Sequence, residues 1–396
     1  MTTTKNNEHK KLNVPNLRFK EFQGEWEKKS LGEIGDSFIG LTYRPTDVVS
    51  EGGLIVFRSS NIQNGCMDYK DIVRVNKNVK EKLITKKDDL LVCARNGSAR
   101  LIGKNAILHE TDANQTFGAF MMVFRSDKNH FVHQLLNTRR YSSQVSENLG
   151  ARINQITSSD LSSFEFFFPK ENNEMNKISA LLDLLDERIA TQNKIIEDLK
   201  KLKSAIIEKL YSEIQGKEYS YRQLFEIINE RNNRLEFSNV LSASQERGMV
   251  SREDLNLDIK FERSNINTYK IVRNGDYVIH LRSFQGGFAF SDIVGVCSPA
   301  YTIMRPKDLL EYGYLSYYFT SRQFIKSLVI VTYGIRDGRS INVDEWFDMK
   351  IVIPTKEQQR HIVRTIKVFE NKIENEEMYA SCLLKQKQHL LRQMFI

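Results

Sequence analysis

Two stretches of this 396-residue chain place guanidinium and amide groups on turn-like segments able to meet a nucleobase: RNGSAR, from Arg95 to Arg100, and RSFQGG, from Arg282 to Gly287. Arginine offers a donor fork that matches the O6 and N7 acceptors of guanine, asparagine and glutamine match adenine, and small donors suit phosphate oxygens. Arg95, Asn96, Ser98 and Arg100 are candidates in the first stretch, and Arg282, Ser283 and Gln285 in the second, with Gly97, Gly286 and Gly287 permitting close backbone approach. The same stretches also read as hairpin turns with solvated arginines. ARINQ (Ala151 to Gln155) and GIRDGRS (Gly334 to Ser340) add Arg152, Asn154, Gln155, Arg336 and Arg339, suited either to phosphate or base contacts or to ordinary surface ion pairs. Arg58, Asn61 and Gln63, with Gln245 and Arg247 further on, complete the set.

Other chemistries find little support. His130 and His133 stand three apart in HFVH with no third ligand nearby in sequence, so no metal site is expected. The six prolines are never adjacent, which removes the Asn-Pro-Pro-Tyr type of motif that an amino-methyltransferase uses to hold its target base. Lysine follows glycine only at Gly103-Lys104 and Gly216-Lys217, and neither pair closes a phosphate loop. No catalytic residues are assigned, and the chain is expected not to be an enzyme. Cys66, Cys93, Cys297 and Cys382 lie far apart without a CxxC pair, the start MTTTKNNEHKK is too polar for a signal peptide, and no apolar run is long enough to span a membrane. The expectation is a cytoplasmic protein with reduced thiols. The aromatic runs FEFFF and YLSYYF read as core in preference to base-stacking platforms, and the aromatic pattern of RNA-binding sheets is missing.

What must position the candidates is a duplicated frame. Stepping alternately four and three residues from Ile178 gives Leu182, Leu185, Ile189, Gln192, Ile196, Leu199, Lys203, Ile206 and Leu210. The same walk from Ile362 gives Ile366, Phe369, Ile373, Glu376, Ala380, Leu383, Lys387, Leu390 and Met394, at a constant offset of 184. Both are heptad stripes, and each follows an extended apolar run closed by proline, FEFFFP at Pro169 and MKIVIP at Pro354. Upstream, WEKKSLGEI answers YSYRQLFEI, SSNIQNGCM answers SASQERGMV, and DLLVCARNGS answers DYVIHLRSFQGG, setting Arg95 against Arg282. Ile156, Leu161 and Phe166 likewise stand against Ile341, Trp346 and Ile351. Short β-rich runs fill both globular parts, with helical segments expected near 131–147 and 308–328.

The expected fold is α+β: two mixed α/β domains separated by a long antiparallel two-helix coiled coil, related by a pseudo-two-fold internal repeat. The divisions are a tail at 1–14, a first domain at 15–170, a central helix at 171–215, a second domain at 216–355 and a final helix at 356–396. A register in which paired residue numbers sum to 579 sets Gln192 opposite Lys387 and Lys203 opposite Glu376, so that polar meets polar. A solvated stripe edge accounts equally well for these four residues.

Taken together, SSNIQNG (Ser59 to Gly65), DLLVCARNGS, NGDYVIHLRS (Asn274 to Ser283) and the two proline-to-heptad segments resemble the specificity subunits of type I restriction-modification enzymes, over nearly all of the chain after about Val14. The resemblance implies two target-recognition domains, each reading one half of a split sequence in double-stranded DNA, with the paired helices as spacer. It implies docking of two modification subunits, which bind S-adenosylmethionine and methylate adenine, and of two restriction subunits using ATP and magnesium, while this chain binds no cofactor. The alternative is a coiled-coil protein-interaction scaffold without sequence-specific DNA binding.

Charge argues against simple electrostatic capture. Although the chain carries a formal +8, residues 15–170 hold 22 basic and 18 acidic side chains and residues 216–354 hold 18 and 17. Such small local excesses do not give tight phosphate binding unless folding or partner subunits gather them on one face. The isolated chain is predicted to bind DNA weakly and with strong salt dependence in a fluorescence-anisotropy titration; a nanomolar, sequence-selective complex at physiological salt without partners would contradict this.

Overall fold

Ser30 and Ser220 end a strand and open a turn by the same device. Ser30 N–H donates to Glu33 Oε2 at 2.7 Å and Ser220 N–H donates to Gln223 Oε1 at 2.8 Å, so each turn satisfies a backbone donor that the strand has released. The computed structural model describes residues 12–149, 154–244, 247–255, 263–280, 287–333 and 340–396. The chain divides into two compact units, residues 1–194 with 378–396 and residues 195–377. Among the described residues, no helix is long and apolar enough to cross a membrane.

In unit 1, Glu27–Ser30 pairs antiparallel with Glu165–Phe168. A four-stranded antiparallel sheet runs in the spatial order Asp36–Ile39, Met121–Arg125, Leu90–Cys93, Asn105–Ile107. Leu90–Cys93 is buried throughout because both faces are covered: Leu90 and Val92 join a core with Trp26, Phe131 and Phe166, and Leu91 and Cys93 join one with Phe57 and Phe117. Alternation of side chains across the strand divides these residues between the two cores. A second sheet orders Thr116–Phe117, Leu54–Phe57, Arg74–Val75 and Val48–Val49, with the first pair parallel. The helical segment expected near 131–147 is two helices, Asn129–Leu135 and Arg139–Leu149, parted where the Thr138 hydroxyl donates to the Leu135 carbonyl at 2.6 Å.

Unit 2 repeats this plan. Lys217–Ser220 pairs with Lys350–Ile353, and a four-stranded antiparallel sheet runs Phe225–Ile228, Thr302–Pro306, Tyr277–Ile279, Phe288–Phe290. Tyr277 and Ile279 pack with Trp346 and Phe319, and Val278 packs on the other face with Leu241 and Met249. The expected 308–328 segment is again two helices, Tyr314–Tyr318 and Arg322–Ser327, the second capped by Ser321, whose hydroxyl accepts from Phe324 N–H. Ile341 and Trp346 are buried, as are their counterparts Ile156 and Leu161, whereas Ile351 is half-exposed where Phe166 is buried.

The most exacting repeat is electrostatic. Asp89, 1% exposed, accepts Arg125 Nε at 2.7 Å and Nη2 at 2.6 Å, and takes Lys86 N–H at 2.8 Å. Asp276, also 1% exposed, accepts Arg305 Nε at 2.9 Å and Nη2 at 3.1 Å, and takes Arg273 N–H at 2.9 Å. A buried carboxylate is tolerable only with such saturation, and the bidentate fork supplies direction as well as charge.

The two long helices are Asn172–Ser212 and Lys356–Met394. The division into units cuts both of them, at 194/195 and 377/378, where the sequence reading set boundaries at 170/171, 215/216 and 355/356. The cause is packing: Met175, Ile178 and Leu182 share one core with Trp26, Phe131, Leu391 and Met394, while Ile207, Tyr211, Ile362 and Ile366 share another with Trp346. Within each unit the helix segments run in opposite directions. Asp186 meets Lys387 and Arg188 stacks under Tyr379 in unit 1; Lys200 meets Glu377 and Lys203 meets Glu370 in unit 2.

The expected register is corrected. Lys203 pairs with Glu370, not Glu376, and Lys387 pairs with Asp186, not Gln192, so neither polar pairing of the 579 register forms as expected. Glu376 takes Lys372 of its own helix, and Gln192 is buried. Lys387 thereby meets a carboxylate at the stripe edge, which is less costly than burying it opposite the Gln192 amide, and Lys203 exchanges one carboxylate for another. Of the stripe residues, Leu182, Ile189, Ile196, Ile366, Ile373, Ala380, Leu383 and Met394 are buried. Leu185, Leu199, Ile206, Leu210, Phe369 and Leu390 are half-buried, and Ile207, Tyr211 and Leu391 take over where the helices enter the domain cores.

Trp26 and Trp346, one per unit, allow the units to be followed separately. In variants keeping one tryptophan, Asp89→Asn is expected to destabilise unit 1 and Asp276→Asn unit 2, each by about 2–4 kcal/mol in urea unfolding followed by fluorescence, from stranding a half-buried arginine. Equal loss in both units from either change would contradict the assignment.

Candidate nucleic-acid interface

Unit 1 brings three of the sequence-derived segments to one place. The strand Leu90–Cys93 ends under Ala94, and the chain emerges as the Arg95–Arg100 loop; Ser59–Asn61 follows the strand Leu54–Phe57; Asn154 and Gln155 precede buried Ile156. Ile156 N–H donates to the Ala94 carbonyl at 2.8 Å, and Arg95 and Gln155 form an antiparallel bridge. Asn96 Nδ2 donates to Ser59 Oγ at 3.0 Å, its Oδ1 accepts Ser98 N–H at 3.0 Å, and Asn154 Nδ2 donates to the Gly97 carbonyl at 3.1 Å. Asn154 has φ +37°, near the left-handed region that asparagine tolerates better than most residues.

These contacts sort the candidates. Arg95, Ser98 and Arg100 are exposed on the loop. Asn96 and Asn154 spend their amides on holding the segments together, and Gln155 is half-buried in the bridge. Asn61 does not present itself to a ligand: it is 1% exposed, its Oδ1 accepts Arg58 N–H at 2.9 Å, and its Nδ2 donates to the Asp68 and Asp71 carbonyls at 3.0 and 2.9 Å. Arg58 is paired with Asp71 at 2.7 Å, and the Asp71 carboxyl is held below the usual range by the Ser60 hydroxyl first and then by Arg58. Asn61 is therefore buried with its amide spent on the loop itself, and Arg58 stands partly exposed in an ion pair at its edge. Gln63 is exposed, with Nε2 on the Ser60 carbonyl at 3.2 Å.

In unit 2, Arg247 is exposed beside the hairpin Leu241–Ser244 and Gly248–Ser251. Arg152, Gln245, Arg282, Ser283, Gln285, Arg336 and Arg339 lie outside the described residues. The approach to the second loop is visible: His280 N–H donates to the Gly287 carbonyl at 2.6 Å, and its ring stands edge-on to Tyr301 at 4.9 Å.

Three neighbours of these loops escaped the sequence reading. Lys104 Nζ reaches the Ser59 carbonyl at 3.4 Å, Arg252 Nε donates to Ser242 Oγ at 2.9 Å, and the Arg95 guanidinium lies over the Phe120 ring at 5.3 Å. Only the internal alignment of Ser59 with Ser242 hinted at a shared position; nothing in GAFMM singled out Phe120.

HFVH meets partners that sequence spacing could not show. His133, Asp183 and Asp186 bring ligand-type atoms within 4.8 Å of one another, and both ring nitrogens of buried His133 lack a protein partner among the described residues. The carboxylates are already engaged: Asp186 by Lys387 at 2.5 and 2.8 Å and by Gln134 at 3.0 Å, Asp183 by His130 at 2.6 Å and by Gln134 at 2.8 Å. The Lys387 ammonium holds the cation position, so the arrangement is an ion-pair lock between helices. Burial first, and then Lys387, push His133 down to about 4, whereas its hydrogen bond to Asp183 raises His130.

Residues 23–201 match the type I restriction modification DNA specificity domain. The chain is 23% identical over 370 residues to the type I restriction enzyme EcoKI specificity subunit of Escherichia coli (strain K12), covering 83% of this chain and 78% of that one. It is 27% identical over 195 residues to the StySPI specificity subunit of Salmonella potsdam, covering 46% and 42%. In fold it is similar to the crystal structure of the S subunit of a type I restriction-modification system from M. genitalium, with TM-score 0.57, 16% identity and coverage of 97% and 99%. It is also similar to a chain from a study of type I assembly and conformational transition, with TM-score 0.54, 14% identity and coverage of 92% and 96%.

The lock predicts a pH dependence. The unfolded chain protonates His133 below about 6.5, but the folded chain, facing Lys387, Asp183, Asp186 and His130, does so only near 4. Stability is therefore lost as pH falls from about 6.5 to about 4. His130 opposes this, since its raised value adds stability that is present in acid and lost as pH rises through the folded value. His133→Phe is expected to flatten the acid-side fall in urea midpoints measured between pH 7 and 4; an unchanged slope would rule out His133 as its source.

Proposed function

We propose that this chain, a type I restriction-modification specificity subunit by its family domain and its relatives, recognises a bipartite DNA sequence, with one domain for each half-site. The observation that carries the reading is the repetition within one chain of the same sheet order and the same buried Asp–Arg pair, each at the start of the strand that leads toward the candidate segment. A duplicated frame with unlike loop sequences suits two unlike half-sites. Arg95, Ser98, Arg100 and Gln63 are the proposed readers or phosphate contacts in the first domain, with Arg247 and the 281–286 segment in the second.

The chain is a non-catalytic adaptor in this reading. It positions two modification subunits, which carry S-adenosylmethionine, and two restriction subunits, which use ATP and Mg²⁺. The helical stretches act as spacer between the half-sites. The two domains comprise residues 15–170 and 216–355.

The test is an exchange of residues 216–354 for the matching region of a related subunit, followed by mapping of methylated adenines with the same modification subunits. One half of the methylated sequence should change and the other remain. An unchanged target would instead support the scaffold reading.

A further inference from the structure

Phe120 is 57% exposed, yet nothing about it is loose. Its carbonyl accepts Ala94 N–H at 2.9 Å and Arg95 N–H at 3.0 Å, Met121 N–H donates to the Gly118 carbonyl at 2.8 Å, and Gly118 N–H donates to the Phe57 carbonyl at 2.9 Å. Met121, the next residue, is fully buried and opens the strand Met121–Arg125. The ring is thus held outward on a fixed turn beside the Arg95 loop, where it contributes little to folding and would gain by losing contact with water. Arg95 covers one face.

We propose that Phe120 packs on the 5-methyl group of a thymine in the major groove while Arg95 addresses a neighbouring base, a contact that rests on the DNA-reading function above. Thymine is the one base that displays an apolar group on that edge, and arginine beside it suits guanine. A wedge driven between base pairs would need both ring faces free, and Arg95 occupies one. The surrounding amides of Asn96 and Asn154 are already engaged within the protein, whereas Arg95 and Phe120 are exposed and, among the described residues of this loop cluster, join a cation to an aromatic ring.

The experiment replaces each thymine of the methylated target, one at a time, by uracil, which lacks the methyl group, and measures binding by the subunit assembled with its modification partners. One position should show a loss of about three- to fivefold, the effect of one buried methyl group. Phe120→Ala should bind the unaltered target less well by a similar factor and cease to distinguish thymine from uracil there. Any uracil penalties at other positions should persist in the variant, which also establishes that it folds. The proposal is overturned if every thymine tolerates uracil, if the penalty survives Phe120→Ala, or if neither half-site contains thymine. A wild-type assembly without sequence preference would overturn the DNA-reading function as well, a result distinct from selective binding that ignores the methyl group.

Discussion

Each domain depends on a carboxylate that cannot leave. Asp89 and Asp276 sit at the start of the innermost strands and are saturated by an arginine fork from the neighbouring strand and by a backbone N–H three residues back. Burial without those partners would cost several kcal/mol, so pairing, register and turn are set together. In unit 1 the strand that follows Asp89 is only four residues long. At about 3.3 Å per residue, fixing its entry also fixes, within a side chain's reach, the point where Arg95 leaves the sheet. Electrostatics at one end of a strand thereby sets where the candidate loop begins at the other.

The duplication was legible because it is written in apolar spacing and in short matched phrases, and burial preserves both. Ile156 with Leu161 and Ile341 with Trp346 occupy corresponding interior positions although the residue types differ. The helix register was not legible. Heptad spacing specifies which residues face inward, but the polar partners across the helices are Asp186 and Glu370, ordinary edge carboxylates whose reach to Lys387 and Lys203 has no sequence signature. The division of each long helix between two units was equally hidden, because it depends on which core each apolar side chain enters.

For the candidate loops, residue type was a poor guide to structural role. Asn61 and Asn96 look alike as base readers, yet both are fasteners, since a loop lacking sheet hydrogen bonds must satisfy its backbone through nearby amides. Phe120 offered no motif, because its exposure beside Arg95 is a tertiary property. His133 presents the opposite case. A motif dismissed for want of a third ligand does lie next to two carboxylates, but a lysine reached from a distant part of the chain has claimed them.

The internal engagement of Ser59, Asn96 and Asn154 separates shelf from lettering. Because the fasteners bind one another, the outermost side chains carry none of the loop's shape. If these loops read DNA as proposed, new preferences would arise from exchanges at two or three outward positions, with the supporting lattice left intact. Retargeting by that route would leave the interior untouched and require no compensating change there.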